Sequence, residues 1–194
     1  MYHFFVEPHQ IGAEEIRIEG ADVNHIRNVL RMKPGEEILI SSREGGDYFC
    51  RVEELEPEYV SAKILEEWEN KELPARIHLF QGLPKGDKME LIIQKAVELG
   101  AYRVVPVSMK RSVVKLDAKK ADAKRKRWNA VSESAAKQSK RSLIPEVAPL
   151  MTYKEAVKEA AGYDMVLLPY ESADGIRKTR ELLASVKPGT DIAV

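Results

Sequence analysis

The stretch IHLFQGLPKGDKMELIIQKAVELGAYRVVPVSMKRSVVK, residues 77–115, decides the fold, because it holds a complete strand, helix and strand unit. Asp87 followed by Glu90 reads as a capping box after Gly86, and Met89, Ile92, Ala96 and Leu99 recur at spacings of three and four, one apolar stripe on one helix face. Gly100 stops that helix. Residues 77–83 and 104–107 are too short for helices and rich in β-branched side chains, so they read as buried neighbours in a parallel sheet joined by a right-handed crossover. Lys85 leaves the carboxyl end of the first strand, and Lys110 with Arg111 leave the second, the edge where open α/β sheets bind ligands.

A length of 194 residues with 44% hydrophobic content suffices for one large domain or two small ones with real cores. Cys50 is the single cysteine, which removes a disulfide framework and a thiol-rich metal site, and the four histidines show no ligand spacing, so no metal is expected. The opening MYHFFVEPHQ lacks a basic and then apolar leader, and no stretch approaches the roughly eighteen apolar residues of a membrane span. A cytoplasmic protein without a membrane partner is the expectation.

The net charge of zero hides an asymmetry: residues 1–72 hold 8 basic against 17 acidic residues, whereas residues 103–141 hold 13 against 3. An excess of that size in so short a run suits a polyanion, since each phosphate neutralised by Lys or Arg releases a counterion. Residues 1–72 read as short strands at 3–6, 15–19, 37–41, 48–55 and 59–68, a small closed or nearly closed barrel. One helix interrupts them, from Asp22 as cap to about residue 32, with Val23, Ile26, Val29 and Leu30 inward and His25, Arg27, Arg31 and Lys33 outside. On spacing alone His25 is an ordinary helix-surface histidine.

The charged stretch ending in Pro74 marks a boundary between a domain at 1–72 and another at 73–194. The second continues with a helix at 118–139, a strand at 143–147, a helix capped by Thr152 and Glu155 and ended by Gly162, a strand at 165–169, a helix at 173–186 and a final strand from 191. In the long helix, Lys124, Arg125, Lys126 and Arg127 form a phosphate-contacting ridge, while Trp128, Val131 and Ala135 read as core. No GxGxxG, phosphate-cradling loop or GxSxG elbow occurs, which removes dinucleotide oxidoreductases, P-loop enzymes and hydrolases.

The runs HIRNVLRMKPG (25–35), LPKGDKMELIIQKAVELGA (83–101), PVSMKRSVVKL (106–116) and KQSKRSLIPEV (137–147) resemble, in matching order, the RsmE-type small-subunit ribosomal RNA methyltransferases of the SPOUT superfamily. The resemblance implies a PUA-like N-terminal β-barrel that helps hold RNA and a knotted, parallel-sheet SPOUT domain that binds S-adenosyl-L-methionine. It further implies a homodimer that methylates N3 of a uridine in 16S ribosomal RNA of the small subunit. Two departures stand out. Ser134 and Lys137 occupy the glutamate positions of the family's EAxEQSxR pattern, while Gln138 and Arg141 match it. The GPEGG and LGxRILRxETA segments that complete the cofactor site are absent, so an incomplete knot and weak cofactor binding are expected of these 194 residues.

Uridine N3 becomes nucleophilic as negative charge moves onto O2 and O4, and cationic donors aimed there would stabilise it. Arg111 and Arg141 are the expected donors. Leu168, Pro169, Tyr170 and Glu171, at the carboxyl end of a strand, are the expected cofactor contacts. The RNA-facing set is His25, Arg27, Arg31, Lys33, Lys85, Lys124, Arg125, Lys126, Arg127 and Gln138. A non-catalytic module that holds ribosomal RNA is the alternative.

Overall fold

A computed structural model describes residues 1–110, 114, 116–169 and 177–194, with backbone alone at 177 and 178. They form two compact units, Met1–Glu72 with Ala136–Ile144, and Leu73–Ala135 with Pro145–Val194.

In the first unit, β1 (Tyr2–Val6), β2 (Glu15–Glu19), β3 (Glu37–Ser42), β4 (Asp47–Leu55) and β5 (Tyr59–Glu67) pair in the order β1-β3-β4-β5-β2. The β1–β3 pair is parallel and the others antiparallel. Period-two alternation sets the inner face: in EIRIE, Ile16 and Ile18 are buried while Glu15, Arg17 and Glu19 face water. Register shifts at Phe49/Cys50 and Val52/Glu54 add curvature, giving a PUA-like half-barrel closed over Phe4, Ile16, Ile18, Ile26, Ile38, Ile40, Val52 and Val60. Cys50 lies wholly inside this core, where burial pushes its thiol up to about 12 and leaves it an apolar filler.

The helix expected at 22–32 is built differently. One α turn, α1 (Ala21–Asn24), passes into a π-helical turn over His25–Val29. Leu30 N–H donates to His25 O at 2.9 Å and Met32 N–H to Ile26 O at 3.1 Å. The wider turn keeps Val23, Ile26 and Met32 inside but carries Val29 out to 62% exposure, against the expectation that Val29 packs inward. Asp22 does not cap the turn; its carboxylate takes Lys137 Nζ at 3.0 and 3.1 Å.

In the second unit, β6 (Arg76–Gly82), β7 (Arg103–Ser108), β8 (Glu146–Val147), β10 (Met165–Val166) and β11 (Asp191–Ala193) form a parallel sheet in the order β10-β11-β6-β7-β8. β9 (Met151–Thr152) adds to β7 beyond β8. The connecting helices are α2 (Lys88–Glu98), α3 (Ala118–Ser139), α4 (Tyr153–Ala160) and α5 (Arg177–Ala184). Thr152 and Glu155 cap α4 reciprocally, as the sequence indicates.

Two local expectations for α2 fail. The buried stripe is Met89, Ile93 and Val97, whereas Leu99 is 81% exposed, because the face that meets the sheet lies one residue round from the expected one. Asp87 stands at the N-cap position at φ −91°, ψ 10°, outside the extended region usual for a cap, and makes no side-chain cap bond, while the Glu90 carboxylate pairs with Arg127 and does not close the box from its side. Gly100 does end the helix, at φ +99°, where a Cβ would meet Leu73 Cδ1 at 2.7 Å.

Residues 136–144, placed with the second domain on sequence, cluster with the first unit. Lys137 on Asp22 and Arg141 on Glu72 supply the attraction.

Candidate functional site

The carboxyl edge of β6 and β7 gathers the pieces in the second unit. Gly82 stands opposite Val107, and Leu83 N–H donates to Val107 O at 2.9 Å, so the chain segments bearing Lys85 and Lys110 leave the same edge. Leu83, Pro84, Gly86, Asp87, Met89, Glu90, Val114, Leu116, Lys124 and Trp128 surround a recess there of about 30 Å³. That is far below the roughly 300–1,000 Å³ of small-molecule pockets, so the recess suits a surface contact rather than an enclosed ligand. Trp128 is 4% exposed and packs as core, as its spacing indicates.

The ridge of α3 divides into paired and unpaired cations. Lys126 Nζ lies 3.1 Å from Asp122, Arg125 reaches Glu146 at 3.4 Å and Val147 O at 3.3 Å, and Arg127 Nε lies 2.7 Å from Glu90. Lys124 makes no ion pair among the described residues, and Lys85 is exposed without one. Of the expected cofactor contacts, Leu168 is 88% exposed and Pro169 is exposed just beyond β10, where Leu167 N–H holds Ala193 O at 2.8 Å. Tyr170, Glu171 and Arg111 lie outside the described residues.

The remaining expected residues belong to the first unit. His25, Arg31, Lys33 and Gln138 are exposed and Arg27 is half-buried. Arg31 holds φ +53° just past the π turn, a backbone state that side chains other than glycine adopt at a cost. Arg141 is 8% exposed and its guanidinium grips Glu72, with Nε at 2.8 and 2.9 Å from the two carboxylate oxygens. Ser142 N–H donates to the same carboxylate at 2.9 Å. In this geometry the Glu72 carboxylate ties the Arg141 guanidinium and the Ser142 amide together at the turn after α3. The sequence reading overlooked Glu72; its only signal was an acidic residue in the charged stretch before Pro74.

A second buried network was also overlooked. Ser41 Oγ donates to Asp47 Oδ1, so its oxygen accepts from His3 Nε2 at 2.8 Å, which fixes the neutral His3 tautomer with its proton on Nε2. Burial pushes His3 down to about 4, against the opposing pull of Asp47 and with Lys137 and Lys140 adding to the depression. Among the described residues no group of three or more His, Cys, Asp or Glu could hold a metal ion, and no helix is long and apolar enough to cross a membrane.

A PUA-like half-barrel followed by a parallel-sheet domain with lysines at its carboxyl edge is the architecture of an RNA methyltransferase, an assignment that family comparison supplies. The RNA methyltransferase domain matches residues 71–194 and the RNA methyltransferase PUA domain residues 18–65. The chain is 39% identical to ribosomal RNA small subunit methyltransferase E of Bacillus subtilis over 89% of its length and 69% of that protein. It is 30% identical to the protein of the same name from Mycobacterium bovis, over 82% of this chain and 63% of the relative. Among solved structures, the Neisseria gonorrhoeae ribosomal RNA small subunit methyltransferase E bound to S-adenosyl methionine aligns at TM-score 0.77 and 28% identity, covering 100% of this chain and 79% of that one. The chain belongs to the ribosomal RNA small subunit methyltransferase E family.

Proposed function

We propose that this protein methylates N3 of a uridine in 16S ribosomal RNA, with S-adenosyl-L-methionine as donor, acting on the small subunit as a cytoplasmic homodimer. The observation that carries this reading is the 39% identity to the Bacillus subtilis relative, spread over 89% of the chain and both units.

S-adenosyl-L-methionine, when bound, supplies an electrophilic methyl carbon with a neutral thioether as leaving group. The exposed apolar surface of Leu168 and Pro169, at the carboxyl end of β10, fits an adenine face, which supports placing the cofactor there. The uridine loses its N3 proton to solvent water as the N3–methyl bond forms, so the site must draw the developing negative charge onto the ring oxygens. Arg111 is the donor we assign to that task. Arg141 serves it indirectly, by holding the turn at 140–142 against Glu72. His25, Arg27, Arg31 and Lys33 around the π turn, with Gln138, are assigned to the RNA.

The test is nucleoside mass spectrometry of ribosomal RNA from cells with and without the gene. Loss of N3-methyluridine from the small-subunit RNA alone is expected. An unchanged nucleoside profile, or loss of a methyl group at another atom or from the large subunit, would overturn the reading.

A further inference from the structure

We propose that the second unit grips the RNA backbone through Lys85 and Lys88, at the turn between β6 and α2, together with Lys124 beside that turn, and not through the ion-paired Lys120, Arg125, Lys126 and Arg127 of α3. The inference rests on the proposed ribosomal RNA substrate and names the charges that meet it.

The argument turns on which cations are already neutralised. Along α3, Lys120 sits 3.2 Å from Asp117, Lys126 3.1 Å from Asp122, Arg125 3.4 Å from Glu146 and Arg127 2.7 Å from Glu90. A phosphate arriving at any of them must displace a carboxylate, so little counterion is released and little affinity gained. Of the six cations in KKADAKRKR these four are ion-paired; Lys119 and Lys124 have no ion pair among the described residues, and of these two Lys124 lines the recess.

At the turn the balance is opposite. Lys85 and Lys88 are exposed, Lys124 is half-buried, and none has an ion pair among the described residues. Lys124 lines the recess together with Pro84, Gly86 and Asp87, which places it beside the short segment that carries Lys85 and Lys88. Of the two acids there, Glu90 is taken by Arg127, leaving Asp87 against three lysines. Gly86, at φ +72° with nothing within 4 Å of a would-be Cβ, keeps the backbone of the turn open to close approach. Three unpaired cations around a recess too small for a base fit a chain of phosphates. The matching RNA methyltransferase domain makes RNA their source.

The experiment measures affinity for a small-subunit ribosomal RNA transcript against potassium chloride concentration. K85Q/K88Q/K124Q should flatten the slope of log affinity on log salt by about 2, at the 0.7 to 0.9 expected per phosphate contact, whereas R125Q/R127Q should change it by less than about 0.5. K120Q/K126Q, whose side chains are more than two-thirds exposed, repeats the second arm without risk to folding. A flattened slope in either variant of the paired α3 cations, or an unchanged slope in the lysine variant, overturns the assignment. Wild-type protein that shows no salt-dependent binding removes the RNA reading itself, an outcome separable from the first.

Discussion

Glu72 is the residue on which the turn after α3 depends, since its two oxygens serve both Arg141 and the Ser142 amide while Lys140, at φ +56°, bends the chain. Removing one partner of a buried pair strands the other, so Glu72→Ala should cost about 3 kcal/mol in denaturant unfolding, and Glu72→Gln less because an acceptor remains. A loss below about 0.5 kcal/mol for Glu72→Ala would make the pair an ordinary surface contact. His3 gives a pH-dependent counterpart. Its folded value of about 4 lies below the 6.5 of the free side chain, so the unfolded chain binds the proton first on acidification. Stability tied to neutral His3 is therefore complete above pH about 6.5 and falls as pH drops toward 4, by roughly 3 kcal/mol in all. The surroundings favour the neutral ring despite the pull of Asp47: the ring is buried, its Nδ1 has no hydrogen-bond partner among the described residues, Phe5 packs on it, and Lys137 and Lys140 repel the new charge. Unfolding curves of wild type and His3→Gln between pH 7 and 4 check this, and parallel pH dependences would refute it.

At the scale of elements, Gly100 ends α2 in a conformation only glycine holds easily, with Leu73 packed where a side chain would go. Gly100→Ala should destabilise by about 1–3 kcal/mol, combining the strained φ with the displacement of Leu73. A neutral substitution in thermal unfolding would mean that the turn and Leu73 relax freely. The elements legible in the sequence are those fixed by neighbours in the chain: the alternation of β2, the Thr152 and Glu155 box, the glycine after α2. What escaped depends on distant partners or on a subtle count. Glu90 leaves its cap for Arg127, 37 residues away, and Arg141 finds Glu72 across 69 residues, distances over which no local pattern speaks. The π turn shares its apolar spacing with an ordinary helix until the wider hydrogen-bond loop turns Val29 outward. The same distance affected the site: the string Lys124 to Arg127 reads as one ridge, and while the i,i+4 pair of Asp122 with Lys126 is local, the partners of Arg125 and Arg127, Glu146 and Glu90, lie far along the chain.

For the whole molecule, the balance of 31 basic and 31 acidic residues conceals a separation between the two units. Met1–Glu72 with Ala136–Ile144 holds 11 basic and 17 acidic residues, a net of −6, which leaves 20 and 14, or +6, for the second unit. A molecule with zero net charge has no mutual repulsion, and opposite poles on separate units attract the complementary poles of other copies. That attraction acts over the Debye length, roughly 30 Å at 0.01 M salt and 8 Å at 0.15 M, so salt should suppress it. The protein freed of nucleic acid should therefore show attractive interactions by static light scattering at low salt and near neutral pH, weakening as potassium chloride is raised toward 0.15 M and beyond. Added ribosomal RNA should compete for the basic unit and weaken the same attraction, since phosphates are the denser anion. Attraction that grows with salt would point instead to apolar association through surfaces such as Leu91, Leu99 and Leu168, all more than half exposed, and the charge-separation account would fail.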